Sequence, residues 1–164
     1  MSGSRSEGGS GGPSSPVCYA EGAEANPLSV EQIIELLNEL LEGERAGAQG
    51  LTALAALQAS TEVADLLRDV ARDEGRFCAM LNAEIRRLGG TPTTRTGVFL
   101  DKLLAREGLP AQLDLLDRGQ GAVARMILGA LPRIADAALV DRLDEMYVVH
   151  MTNIRRCADF ARTL

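Results

Sequence analysis

Four polar residues interrupt otherwise apolar helical stripes in this sequence. Their side chains are of types that can bind a metal ion or share protons. The four residues are Glu44, Glu74, Gln120 and His150. His150 is the only histidine of the chain. Carboxylates and imidazole together are ligands that suit iron, manganese or zinc. Burying two carboxylates without partners costs several kcal/mol, and the usual relief is a cation, a shared proton or hydrogen bonds.

The stripe that contains His150 shows how such a residue is placed. The stripe advances in steps of three and four residues, from Leu143 and Met146 to His150 and then to Asn153 and Cys157. This spacing predicts one buried face of an α-helix. His150 is therefore expected on the core side of its helix, near the middle.

The other three residues occupy the same kind of position. Glu44, Glu74 and Gln120 each interrupt an apolar stripe at about half the length of their own segment. Residues at half height on four packed helices meet in one layer of a bundle. The sequence therefore predicts that these side chains converge with His150 on one internal site.

Start and stop signals predict the helices that position this layer. Four helices are predicted, at about residues 29–59, 60–88, 110–131 and 136–162. Ser29 and Gln32 form a capping-box pattern, Ser60 or Thr61 caps the second helix, and Gly89 follows its end. The region 91–110 is too long for a hairpin loop, and its apolar run 98–104 predicts a short helix within a crossover connection.

The first 28 residues differ from the rest of the chain. Gly, Ser, Pro and charged residues dominate residues 1–16, which cannot bury enough apolar surface to offset their ordering entropy. We expect residues 1–28 to be a disordered or loosely docked tail and residues 29–164 to form the bundle.

Composition restricts the partners. The formal charge of −6 argues against nucleic acid and anionic membranes, which favour clusters of Lys and Arg. No apolar run approaches the roughly 20 residues that span a bilayer, and the N-terminus lacks a signal-peptide pattern. We expect a cytoplasmic protein. Its small-molecule substrate is unknown, and whether it forms a homo-oligomer stays open.

Several stretches resemble the ferritin-like superfamily and, more narrowly, an uncharacterised bacterial family, a domain of unknown function with a ferritin-like bundle. They are "LLNELLEGERAGA", "RDEGRFCAML", "LGGTP", "LDRGQGAVAR" and the run that contains His150, Asn153 and Ile154. The resemblance implies an all-α fold. It would be a ferritin-like antiparallel four-helix bundle, with a long crossover carrying a short helix between the second and third helices.

The resemblance also implies a ligand pattern. Ferritin-like di-iron proteins place Glu on the first and third helices and Glu-x-x-His on the second and fourth. Three positions of this pattern are kept, at Glu44, Glu74 and His150. Three others hold different residues, Phe77, Gln120 and Tyr147. The two-metal motif is thus half eroded.

Three hypotheses follow for the buried layer, and one of them, an intact di-iron oxidase or peroxidase, is disfavoured because too few bridging carboxylates remain. Another is a single divalent ion of iron, manganese or zinc, held by Glu44, Glu74, Gln120 and His150. The alternative is a metal-free polar network, satisfied by water and by arginines such as Arg45, Arg76 or Arg118, inside a non-catalytic interaction or oligomerisation module. The sequence contains nothing that resembles a nucleophile triad, a P-loop or a Rossmann fingerprint. An enzymatic activity is therefore the third interpretation, and it stays open.

Cysteines test the topology. With a crossover, the second and third helices run parallel and the fourth runs opposite to both. Cys78 and Cys157 then lie on opposite sides of the polar layer, too far apart for a disulfide. Glycines 43, 47 and 50 of the first helix, each costing about 1 kcal/mol relative to alanine, indicate close helix approach or space beside Glu44.

Overall fold

The computed structural model describes residues 26–163, which are largely helical and contain no strand. The helices are Val30–Ala56 (α1), Thr61–Arg87 (α2), Phe99–Leu104 (α3), Leu109–Ala130 (α4) and Ala137–Ala161 (α5). The four long helices form the predicted bundle, and α3 lies in the crossover between α2 and α4. Residues 1–25, most of the predicted tail, lie outside the described part of the chain. None of the helices in this part is long and apolar enough to cross a membrane.

Local signals explain where the helices begin and end. The Ser29 hydroxyl accepts a hydrogen bond from the Gln32 amide at 3.2 Å, and the Gln32 side chain accepts one from the Ser29 amide at 3.0 Å. Gly89 follows α2 with a φ of 84°, which glycine adopts without strain. Ser60 occupies the N-cap position of α2, but its side chain makes no capping hydrogen bond there.

Two apolar clusters show the direction of each helix. The first includes Leu37, Leu81, Ile127 and Leu143. The second includes Leu51, Leu67, Leu113 and Cys157. The first cluster uses the N-terminal halves of α1 and α5 and the C-terminal halves of α2 and α4, and the second uses the opposite halves. Helices α2 and α4 therefore run parallel to each other and antiparallel to α1 and α5.

The two described cysteines agree with this topology. Cys78 packs against the first cluster, Cys157 belongs to the second, and both thiols are free. The prediction that they are not bridged is confirmed. Burial raises the pKa of each thiol to about 11, so both are protonated and unreactive near neutral pH.

The crossover is fastened to α1 along its first part. Arg45 donates to the carbonyl oxygens of Arg95 at 2.7 Å and Thr93 at 2.9 Å. The Asn38 side chain accepts a hydrogen bond from the Thr93 amide at 2.7 Å. These bonds lead the connection along α1 and bring α3 to the middle of the bundle.

Candidate functional site

The four residues that interrupt the apolar stripes lie in one layer between the two apolar clusters. Glu44, Glu74, Gln120 and His150 come from α1, α2, α4 and α5, and each is at most 7% exposed. All four line one cavity with a volume of about 100 Å³. The structure thus brings together the side chains that the sequence predicts to converge.

His150 is held in one orientation by both ring nitrogens. Its Nδ1 lies 2.9 Å from the Met146 carbonyl oxygen, and its Nε2 lies 2.9 Å from Glu44 Oε1. Because a carbonyl oxygen only accepts hydrogen bonds, Nδ1 carries a proton. Nε2 is therefore the nitrogen that can share a proton with Glu44 or bind a metal ion.

The His150–Glu44 pair shifts the pKa of both groups. Burial lowers the pKa of His150, but the hydrogen bond and the charge of Glu44 outweigh burial and raise it. Burial raises the pKa of Glu44, and the hydrogen bond with His150 offsets this only in part. Each of the two groups therefore holds its proton to a higher pH than it would when exposed to water.

Glu74 and Gln120 form the second pair of the layer. Gln120 Nε2 donates to Glu74 Oε1 at 2.9 Å. Burial and the nearby charge of Glu44 raise the pKa of Glu74 well above its usual value, against the opposing effect of this hydrogen bond. Glu74 therefore holds its proton to a higher pH than an exposed glutamate does.

Three oxygens of the layer are buried without a hydrogen-bond partner. They are Glu44 Oε2, Glu74 Oε2 and Gln120 Oε1. Each unsatisfied buried group costs about 1–3 kcal/mol, more when it is charged. Carboxylate and amide oxygens are acceptors that also coordinate metal ions. The layer is thus chemically suited to a cation.

Glycines on α1 explain how the layer fits between the helices. A Cβ atom at Gly47 would lie 2.8 Å from the carboxyl carbon of Glu74, and closer still to Oε2. A Cβ atom at Gly50 would lie 2.9 Å from Leu103 of α3. Gly47 therefore makes room for a carboxylate of the layer, and Gly50 allows close packing of α3.

The arginines considered as partners for this layer bind elsewhere. Arg45 donates to crossover carbonyls, Arg76 pairs with Glu145, and Arg118 pairs with Asp114 at 2.7 Å. These three arginines, named as possible partners in the metal-free hypothesis, therefore do not satisfy the buried carboxylates.

The positions that depart from the di-iron pattern do not supply other ligands. Phe77 is buried, with its ring centroid 5.8 Å from that of His150. Tyr147 lines a surface groove between α4 and α5 instead of the central cavity. Asn153 donates to Asp73 at 3.0 Å. Within residues 26–163, no group of three or more His, Cys, Asp or Glu side chains is arranged to hold a metal ion.

Two features of the interior were not predicted. Phe99 of α3 lines the cavity. Its position depends on the path of the crossover, which the apolar stripes of the long helices do not indicate. Glu84 is 1% exposed and forms ion pairs with Arg87 and Arg142. The burial of Glu84 could have been predicted, because Glu84 follows Leu81 by three residues on the apolar stripe of α2.

Comparisons with known proteins place this geometry in context. The family described as "Domain of unknown function (DUF6306)" matches residues 31–159. No curated protein matches the chain. A ferritin-like, diiron-carboxylate protein from Bacillus anthracis is similar in structure, with a TM-score of 0.73 and 21% identity over 82% of this chain and 99% of that chain. The bacterioferritin-related protein from Bacteroides fragilis, a dodecameric thioferritin, has a TM-score of 0.65 and 14% identity over 83% of this chain and 90% of that chain.

Proposed function

The chain belongs to the DUF6306 family, and we propose that its buried polar centre binds a single divalent ion of iron, manganese or zinc. The proposed ligands are Glu44, Glu74, Gln120 and His150. One observation carries the proposal: three buried acceptor oxygens without partners belong to residues that line the same cavity. A bound cation would supply the positive charge that these oxygens lack.

The residues present fit one ion better than two. The similar structure from Bacillus anthracis is described as a diiron-carboxylate protein. In this chain, Phe77 and Tyr147 replace a histidine and a glutamate of the di-iron pattern, and Gln120 replaces a second glutamate. Too few carboxylates remain to bridge two ions.

Residues of the chain prepare the site for an ion. The Met146 carbonyl fixes the Nδ1 proton of His150, which leaves Nε2 as the nitrogen that can coordinate once its shared proton is released. Gln120 orients the carboxylate of Glu74. A divalent ion at this position would act as a Lewis acid when bound, and the substrate on which it would act is not identified by these residues.

Elemental analysis tests the proposal. Protein purified without chelators is expected to contain one iron, manganese or zinc ion per chain. Glu44→Ala and His150→Ala should lose this metal, because each removes a ligand. A matched control is Glu84→Gln, which changes a buried carboxylate outside the cavity and should retain the metal. Circular dichroism confirms that each variant is folded.

Two results would contradict the proposal. One is parent protein that takes up no metal after incubation with Fe²⁺, Mn²⁺ and Zn²⁺ in turn. The other is metal content that stays unchanged in both ligand variants, which would place the metal elsewhere.

A second candidate function is a non-catalytic oligomerisation module with a metal-free polar core. The surface groove between α4 and α5 favours it, since Tyr147, Met151 and Ile154 line this groove and Leu128 there is 53% exposed. The similar structure from Bacteroides fragilis is a dodecamer. This candidate predicts a homo-oligomer in sedimentation velocity, weakened by Leu128→Glu, whereas a monomeric parent would contradict it.

A further inference from the structure

The cavity at the polar centre is lined by apolar side chains as well as by its polar groups. Phe99, Leu116 and Val123 are among these apolar side chains. Leu116 and Val123 belong to α4, one of the four long helices. Phe99 comes from α3, so the crossover contributes directly to the enclosure of the buried centre.

The ring of Phe99 lies between two glycines on different helices. A Cβ atom at Gly50 of α1 would lie 3.4 Å from Cε1 of the ring. A Cβ atom at Gly119 of α4 would lie 3.2 Å from Cε2. Because Cε1 and Cε2 are on opposite edges, the ring bridges the gap between α1 and α4 at the level of the cavity.

The short helix that carries this ring is anchored by one buried side chain and flanked by two glycines with positive φ. Leu103 is its fully buried residue, whereas Val98 and Leu104 at its ends are 58% and 44% exposed. Gly97 and Gly108 flank it with φ values of 63° and 82°. Glycines with positive φ can absorb large backbone rotations, as residues at hinges do.

We propose that Phe99 closes the access route to the polar centre and that α3 is a hinged lid. The identity of the ion that passes rests on the proposed function, but the lid itself does not. With the ring between Gly50 and Gly119, water would be kept out of this gap, and the charges inside would interact more strongly. Rotation of α3 about Gly97 and Gly108 would withdraw the ring and open the gap between α1 and α4.

A thiol inside the cavity tests the lid without any metal. Leu116→Cys places it on the cavity wall, at a position that is 3% exposed, in a background of Cys18→Ser, Cys78→Ala and Cys157→Ala. Its rate of reaction with methyl methanethiosulfonate is measured under native conditions. Phe99→Ala should increase this rate about ten-fold or more, because the ring no longer fills the gap.

Two variants control this measurement. Phe99→Leu keeps an apolar side chain of intermediate size, folds without the full loss of packing, and should give an intermediate rate. Leu104→Ala changes an exposed residue of the same helix and should leave the rate at the parent value. Rates that do not rise with low concentrations of urea show that the thiol reacts through local opening and not through global unfolding.

Metal exchange separates the lid from the proposed function. In the native-cysteine background, Phe99→Ala should accelerate both the uptake of Co²⁺ and its removal by EDTA by a similar factor. A parent that binds no Co²⁺ would count against the metal site, and the thiol rates would still decide the lid. Equal thiol rates in the parent, Phe99→Ala and Phe99→Leu would overturn the lid, whatever metal binds.

Discussion

Gly47→Ala is expected to abolish metal uptake at the polar centre and to lower the free energy of unfolding by about 1–3 kcal/mol. The new Cβ atom would occupy the space of the Glu74 carboxylate, 2.8 Å from its carbon. The carboxylate must then move away from α1 and lose the hydrogen bond from Gln120. Elemental analysis measures the first effect, and urea denaturation measures the second.

A second glycine provides a matched control. Gly75 lies in α2, and a Cβ atom there would meet no other atom within 4 Å. Gly75→Ala should therefore stabilise the fold by about 1 kcal/mol, which is the difference in helix propensity, and leave the metal content unchanged.

A double-mutant cycle tests whether the collision with Glu74 causes the destabilisation by Gly47→Ala. In a Glu74→Ala background, the collision is gone, and Gly47→Ala should become neutral or stabilising. If Gly47→Ala destabilises both backgrounds equally, the contact with Glu74 is not what makes glycine necessary at this position.

The fold and the height of the polar layer are predictable from the sequence. Capping residues and Gly89 mark helix ends, and the periodic stripes show which face of each helix is buried. Because a stripe fixes both the face and the position along the axis, four interruptions at half height suffice to predict one buried layer. The length of the connection after α2 then indicates the crossover that sets the helix directions.

The pairing inside the layer is not predictable in the same way. A stripe gives the position of a residue but not its rotamer, so it could not show that His150 pairs with Glu44 while Gln120 pairs with Glu74. The position of Phe99 depends on how the crossover packs on α1 and α4, and such long-range contacts leave no periodic signal. The partners of Arg45, Arg76 and Arg118 also depend on long-range contacts, so the sequence did not show that these arginines bind outside the layer.

Glu74→Gln is expected to change metal content and stability in opposite directions. Glutamine keeps the shape of the side chain and can still accept the hydrogen bond from Gln120, but it carries no charge. In the parent, burial and the charge of Glu44 raise the pKa of Glu74 well above its usual value. Metal uptake should be lost, while the metal-free variant should gain about 1–3 kcal/mol in free energy of unfolding near pH 8, measured by urea denaturation after dialysis against EDTA.

The gain in stability should depend on pH with a definite sign. A carboxyl group whose pKa is raised by folding contributes stability below its unfolded-state pKa, and this contribution is lost as pH rises through the folded-state pKa. Parent and variant should therefore be similar near about pH 4, close to the reference pKa of Glu. They should diverge as pH rises above this value, because the Glu74 carboxyl group of the parent loses its proton more readily in the unfolded state than in the folded state.

Glu84→Gln is the matched control for this last prediction, and its effect should have the opposite sign. Glu84 is as deeply buried as Glu74, but its carboxylate forms ion pairs with Arg87 and Arg142. Glutamine at this position has no charge to pair with the two arginines, so the variant should be less stable than the parent near pH 8. If Glu74→Gln also lowers the stability of the metal-free protein, the charge of Glu74 is already compensated by the chain itself. The polar layer would then be a self-sufficient network, as the oligomerisation module requires, and would not need a cation.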